Sequence, residues 1–295
     1  MLSLNKSENG FWLVILRTGV SLALIGKLNS EFRHINELYG ANGFVPRDIA
    51  RFSQLALIPS LPGIYHLISS ICTESVFLHV FFLCQMLFAF FLLMGYRSRM
   101  YAVMCWAMQG VVFNSSHLTS YGFDAILLSL LFYAMILPVG RYLSIDHRTS
   151  PERVQTDETM IPVYLKVIQL HVCLIYLVNG ISKVSGHSWQ NGSGMWDAIH
   201  QPQFESYLSP LLQHLFIIKG LPALVTWAAV LVEIAYPFLI WVRGLNRILL
   251  LSIILLHVFI AVVFGLWLFA FTMIVFNLVA FGNVLKKYNL KHKET

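Results

Sequence analysis

The sequence predicts an all-α integral membrane protein, a polytopic bundle of about eight transmembrane helices, and three observations predict it. Mean hydropathy is +0.70, with 57% apolar and only 12% charged residues, a balance foreign to soluble globular chains. Apolar runs of about twenty residues recur, each long enough to cross a hydrocarbon layer of roughly 30 Å as a helix. These runs lack the alternation of barrel strands, and in lipid only helices or closed barrels satisfy their own backbone groups. No soluble domain can be cut from either end, so residues 1–295 read as one transmembrane domain.

Eight candidate spans follow in order, at about 11–29, 75–95, 100–116, 121–139, 162–182, 219–241, 247–264 and 266–283. The first carries Arg17 and runs into Lys27-Leu-Asn without a small-residue cleavage site, so it reads as a retained helix. Residues 30–74 are mixed in character and broken by glycines, Pro59 and Pro62, which favours short interfacial or re-entrant helices over a crossing. Within them, Tyr39-Gly-x-x-Gly43-x-x-Pro46-Arg47 is a turn that delivers charge to the surface. Between spans three and four, His117, Tyr121 and Asp124 have the spacing of one helical side. They either cap the two helices or face one pocket. Span four leaves the membrane through Gly140-Arg-Tyr-Leu-Ser144-Ile145-Asp146, and about 147–160 reads as a flexible cytoplasmic loop.

Span five is the most informative. It ends Gly180-x-x-Lys183-x5-Trp189-x-x-Gly192, where a lysine at the membrane boundary is either an anchor or a chemical group. The loop beyond it holds Trp189 and Trp196, which fit an interfacial belt or a substrate lid. Glu233 in span six, His257 in span seven and Arg17 in span one fall at similar depth. A buried ion normally faces the bundle interior with a partner, so an Arg17–Glu233 pair beside His257 is expected. The last two spans form a hairpin turning near Gly265. Four cysteines show no paired spacing and read as buried free thiols. His79, His171 and His257 lack ligand spacing, so no metal is expected.

The net charge of +6 is read as topology, not as a nucleic-acid footprint. Arg97 and Arg99, then Arg141 to Arg153, then Arg243 and Arg247, then the lysines from Lys286 to Lys293 fall on one side of an eight-span chain. Both termini are thereby expected in the cytoplasm. Lys27, Arg33, Arg47 and Arg51, offset by Glu31, Glu37, Asp48 and Glu74, fall on the opposite side.

The Arg47 step, His117–Asp124, Ser144-Ile145-Asp146, Gly180–Gly192, Glu233 and His257 together resemble, in order, the horizontally transferred transmembrane (HTTM) domain. This is the membrane part of vitamin K-dependent γ-glutamyl carboxylase and of many bacterial proteins; Ile145 stands where the family has leucine. The resemblance implies Lys183 as a general base assisted by His117, with Tyr121 and Asp124 as further catalytic residues of the same site and a reduced isoprenoid quinone as cofactor. It implies carboxylase-like or quinone-linked lyase or oxidoreductase chemistry in a bacterial cell membrane. The large lumenal part that binds the protein substrate of the animal carboxylase is not among these residues. A second class of function therefore stands beside the enzyme: a membrane factor that helps mature a secreted toxin or antimicrobial peptide, as in the sporulation-delaying system. Its partners would be that peptide or another membrane protein, besides lipid. A transporter has less support, because no inverted repeat or pair of broken helices is visible.

Overall fold

The structure is a computed structural model that describes residues 6–52, 54–115, 120–149, 160–204 and 208–286, leaving aside the side chains of 6–9, 48, 209 and 286. Among the described residues there is no strand, and eight helices of fifteen or more residues stand where spans were expected. They are α1 (Lys6–Glu31), α2 (Glu74–Met94), α3 (Ser98–Ser115), α4 (Gly122–Ile136), α5 (Ile161–Ser185), α6 (Leu221–Leu239), α7 (Leu245–Phe264) and α8 (Trp267–Phe281). Five regions, lying in α1 with its extension to Tyr39, α2, α5, α6 and α7, are long and apolar enough to cross a membrane; α4 and α8 are shorter apolar helices.

The helices group into two compact units, Met1–Glu158 and Thr159–Thr295. The division falls within the segment expected to be a flexible loop, of which residues 150–159 lie outside the described set. In the first unit α1 packs on α2 and α4, α2 on α3, and α3 on α4, so four helices close a ring. In the second, α5 packs on α6 and α8, α6 on α7, and α7 on α8.

Local sequence explains the boundaries. Proline opens both α5 and α6, where its missing N–H removes no helical bond. The α7–α8 hairpin turns at Gly265, as the sequence predicts. Residues 30–74 form short helices, Ile35–Tyr39, Arg47–Arg51 and Leu61–Ile68, and make no crossing. Along α2, Val76, Val80, Leu83, Leu87 and Phe90 recur every three or four residues and all face outward. That apolar stripe suits hydrocarbon, not water. Cys105 and Cys173 are buried as expected, whereas Cys84 faces outward on the same helix as the stripe.

The chain's Gly140–Asp146 step is structural. Arg17, buried in α1, donates to the carbonyls of Val139 (2.8 Å), Tyr142 (3.0 Å) and Leu143 (2.6 Å). Asp146 accepts from the backbone N–H groups of Arg97 and Ser98 and from the Ser98 hydroxyl, which closes the start of α3. Arg17 thus satisfies the exposed carbonyls that follow α4, and this strap is what its charge serves.

Candidate functional site

The centre of the second unit is built where α5 and α6 touch. A β-carbon at Gly180 would stand 2.7 Å from Ile234 Cγ1 and 3.3 Å from its backbone nitrogen, so only glycine lets the two helices approach this closely. One turn later on α5, Lys183 Nζ lies 2.6 Å from Oε1 and 2.5 Å from Oε2 of Glu233 on α6. The Glu233 side chain is 6% exposed and that of Lys183 is 24% exposed. Nζ also lies 5.1 Å from the centroid of the Trp189 ring.

The rest of the Gly180–Gly192 motif holds this corner in place. Trp189 packs against Gly186 and Gly194. Gly192 has φ of +81°, and a β-carbon there would meet Ala223 at 2.8 Å, so the turn lies directly on α6. The Thr226 hydroxyl donates to the Gly192 carbonyl at 3.2 Å and accepts from Met195 N–H at 3.0 Å. Of the two tryptophans expected to cover the site, Trp189 stands on Lys183. Trp196 packs instead with the apolar cluster of Met195, Ile199, Phe216 and Val263.

Beside the ion pair runs a buried polar chain that draws on all four helices of the unit. Tyr236 donates from its hydroxyl to Asn277 Oδ1 at 2.7 Å. Asn277 Nδ2 donates to the Met273 carbonyl at 2.8 Å and to the Tyr176 oxygen at 2.6 Å. A carbonyl can only accept, so Met273 fixes which end of the amide is nitrogen. The Tyr176 hydrogen is then left for His257 Nε2, 2.8 Å away. With Tyr176 as the donor, a neutral His257 carries its proton on Nδ1, and that atom is buried without a hydrogen-bond partner among the described residues. Tyr176 lies two turns before Lys183 on α5 and Tyr236 one turn after Glu233 on α6, and the two rings meet with centroids 4.7 Å apart, so the chain and the ion pair share one helix contact.

The first unit has a buried cluster of its own. Lys27 Nζ pairs with Glu31 one turn along α1 and lies 3.2 Å from Asp124 Oδ1 at the start of α4. Asp124 Oδ2 accepts from the Tyr121 N–H at 3.2 Å, which caps α4, and the Tyr39 hydroxyl donates to Glu31 at 3.0 Å.

Of the residues expected to cluster with His257, Arg17 is occupied by three carbonyls inside its own unit, while Glu233 takes Lys183, whose helix the glycine brings within reach. Lys27, expected among the outer-side charges, is a buried one, 4% exposed, because Glu31 one turn on and Asp124 at the start of α4 enclose it. Among the residues expected in the site with Lys183, Asp124 and Tyr121 lie in the first unit, where the cation facing Asp124 is Lys27. His117 lies outside the described residues. Lys27, Glu31, Tyr176, Tyr236 and Asn277 are the polar residues that sequence reasoning missed. A signal existed for three of them, a lysine and glutamate at i,i+4 and a lone asparagine within an apolar run.

Among the described residues no group of three His, Cys, Asp or Glu side chains could hold a metal ion. A family model, the HTTM domain, matches residues 58–283. No curated protein and no solved structure matches the chain.

Proposed function

Because the chain belongs to the HTTM domain family and is a membrane protein, we propose that it is a membrane enzyme in which Lys183 and Glu233 form an acid–base couple. One observation carries this reading: a nearly enclosed carboxylate grips, through both oxygens, a lysine that keeps a quarter of its side chain accessible. As an ammonium, the lysine accepts no proton. Transfer of one proton across the 2.5 Å contact leaves a neutral amine beside a neutral carboxyl group. A low-dielectric site narrows the gap between the charged and neutral arrangements, because both ions lose solvation there. Nζ can then take a proton from an acidic hydroxyl in the site. The positive charge so created stays next to the oxygen that lost the proton, while Glu233 holds the displaced proton out of water's reach. Lys183 is thus the base and Glu233 its proton store.

A reduced isoprenoid quinone is the cofactor that fits. When bound, such a group supplies an acidic hydroxyl and a pair of electrons on an apolar body. The buried Nδ1–H of His257 needs an oxygen acceptor, and Lys183 offers a second donor nearby. Lys183 and His257 would hold its oxygens, and the apolar faces of the unit its tail.

The test adds a reduced isoprenoid quinone to purified protein without oxygen and follows its ionisation by ultraviolet absorption. The wild type is expected to lower the pH at which the bound group loses its proton, and Lys183→Ala to abolish that shift without loss of folding. Equal ionisation with both proteins would overturn the base, and the peptide-maturation role would take its place. We further propose that all eight long helices cross a bacterial cell membrane with both termini cytoplasmic. Support comes from the arginines at 97, 99, 243 and 247. A cysteine placed at position 190 should react with an impermeant reagent from outside intact cells; reaction at position 290 instead would reverse the orientation.

A further inference from the structure

The segment between α1 and α2 carries features that the Lys183 site does not use. A pocket of about 480 Å3, the open space at its mouth included, is lined by Tyr39, Arg47, Arg51, Gln54 and Ser115 among others. Two of its polar groups are already engaged. The Tyr39 hydroxyl donates to Glu31, and Ser115 donates to the Val111 carbonyl while accepting from Leu61 N–H. The arginines are not satisfied in this way. Arg47 pairs with Glu74, which also accepts from Ala41 N–H at 3.3 Å and so holds the guanidinium against the Gly40–Gly43 turn. Its Nε is nonetheless buried without a hydrogen-bond partner among the described residues. Arg51 lines the same pocket one turn along the short Arg47–Arg51 helix. Burial, and after it the repulsion of Arg51, hold the Arg47 guanidinium below the usual arginine range. Glu74 is the single carboxylate paired with either arginine among the described ion pairs. Two guanidinium groups facing one concavity, with donors to spare, call for an anion with several oxygens.

The surroundings say which anion. Phe44, Ile49, Phe52, Leu55 and Leu57 are exposed on the same segment, Phe52 at 93% and Leu57 at 97%. The segment joins the ends of two helices of membrane length, which sets it at the level of the lipid head groups. Apolar side chains beside cationic ones at that level are the composition of an interfacial anchor.

We propose that the Arg47–Arg51 pocket binds the phosphate of an anionic phospholipid, with Phe52, Leu55 and Leu57 entering the acyl region around it. The Arg47–Glu74 pair positions one guanidinium, and Arg51 closes on the phosphate from the other side. The site sits in the first unit and does not depend on the proton chemistry assigned to Lys183.

Native mass spectrometry of the full chain tests this, after release from nanodiscs of either phosphatidylglycerol or phosphatidylcholine. The wild type is expected to retain phosphatidylglycerol about tenfold better, the scale of one charge-assisted hydrogen-bonded contact. Arg51→Gln should bring the two lipids to parity with an unchanged unfolding midpoint. Arg47→Gln can also unsettle the Glu74 turn, so Arg51→Gln carries the test. Equal retention of both lipids by the wild type overturns the proposal, as does undiminished preference in Arg51→Gln. Inorganic phosphate that binds the wild type in detergent as tightly as the lipid does would show an anion site without lipid selectivity, and would overturn it too.

Discussion

Each of the two units closes four helices into a ring, and each pairs a lysine with a carboxylate near the C-terminal end of its first helix. Lys27 stands one turn before the end of α1, and Lys183 lies in the last turn of α5. Their surroundings differ in a way that separates architecture from chemistry. Lys27 is enclosed between two carboxylates, with a tyrosine hydroxyl on one of them and a helix start on the other; its side chain is 5% exposed. Each of these charged groups has a partner among the described residues. Lys183 faces one carboxylate, keeps 24% of its side chain exposed, and neighbours a histidine with an unused donor. A closed cluster fixes one arrangement of helices. A half-open one can exchange a proton with something that comes and goes.

The largest effect should come from the closed cluster. Lys27→Met leaves Glu31 and Asp124 without their cation in a buried place, and should cost about 3–5 kcal/mol of stability. Denaturant unfolding in mild detergent measures it. A loss under about 1 kcal/mol would mean that the cluster is wetter than its burial indicates. Next is Gly180→Leu, which drives a side chain into Ile234 and forces α5 from α6. Overpacking of this kind costs about 1–3 kcal/mol, and the Lys183–Glu233 contact should open, read as a loss of the proton shift on the bound quinone. Tyr176→Phe removes the link between Asn277 and His257 and should cost about 1–3 kcal/mol, because it leaves buried partners unsatisfied. The smallest change in stability is the most telling. Lys183→Arg keeps a cation for Glu233 and should hold stability within about 1 kcal/mol. Because arginine does not give up its proton, proton removal from the ligand should fall by about 100-fold or more. An arginine variant that works as well as the wild type would reduce Lys183 to a second structural lysine.

The helices were legible in the sequence because apolar length and interruption by glycine, proline and arginine are one-dimensional signals. Even the Gly265 turn lies where expected. The motif Gly180-x-x-Lys183 was legible as a motif, but not its physical reason: the glycine matters through Ile234, fifty-four residues away along the chain and in contact across the helix pair. Depth alone made Arg17 and Glu233 look like partners. Depth says that a charge must be satisfied, not by what, and three carbonyls serve Arg17 as well as a carboxylate would. Lys27 was read as a surface charge because it stands beside other charges in the sequence; only the meeting of α1 with α4 shows that Asp124 encloses it.

The Tyr236–Asn277–Tyr176–His257 chain has a consequence for traffic through the second unit. Hydroxyl and imidazole groups pass protons by taking one on one side and releasing another, but a carboxamide does not. Asn277 sits between the two tyrosines, and Met273 stops it from turning over. The chain is therefore an insulator with a polarised end. It aligns His257 without connecting it to the Tyr236 side, so in the proposed chemistry a proton at Lys183 is not relayed through Asn277.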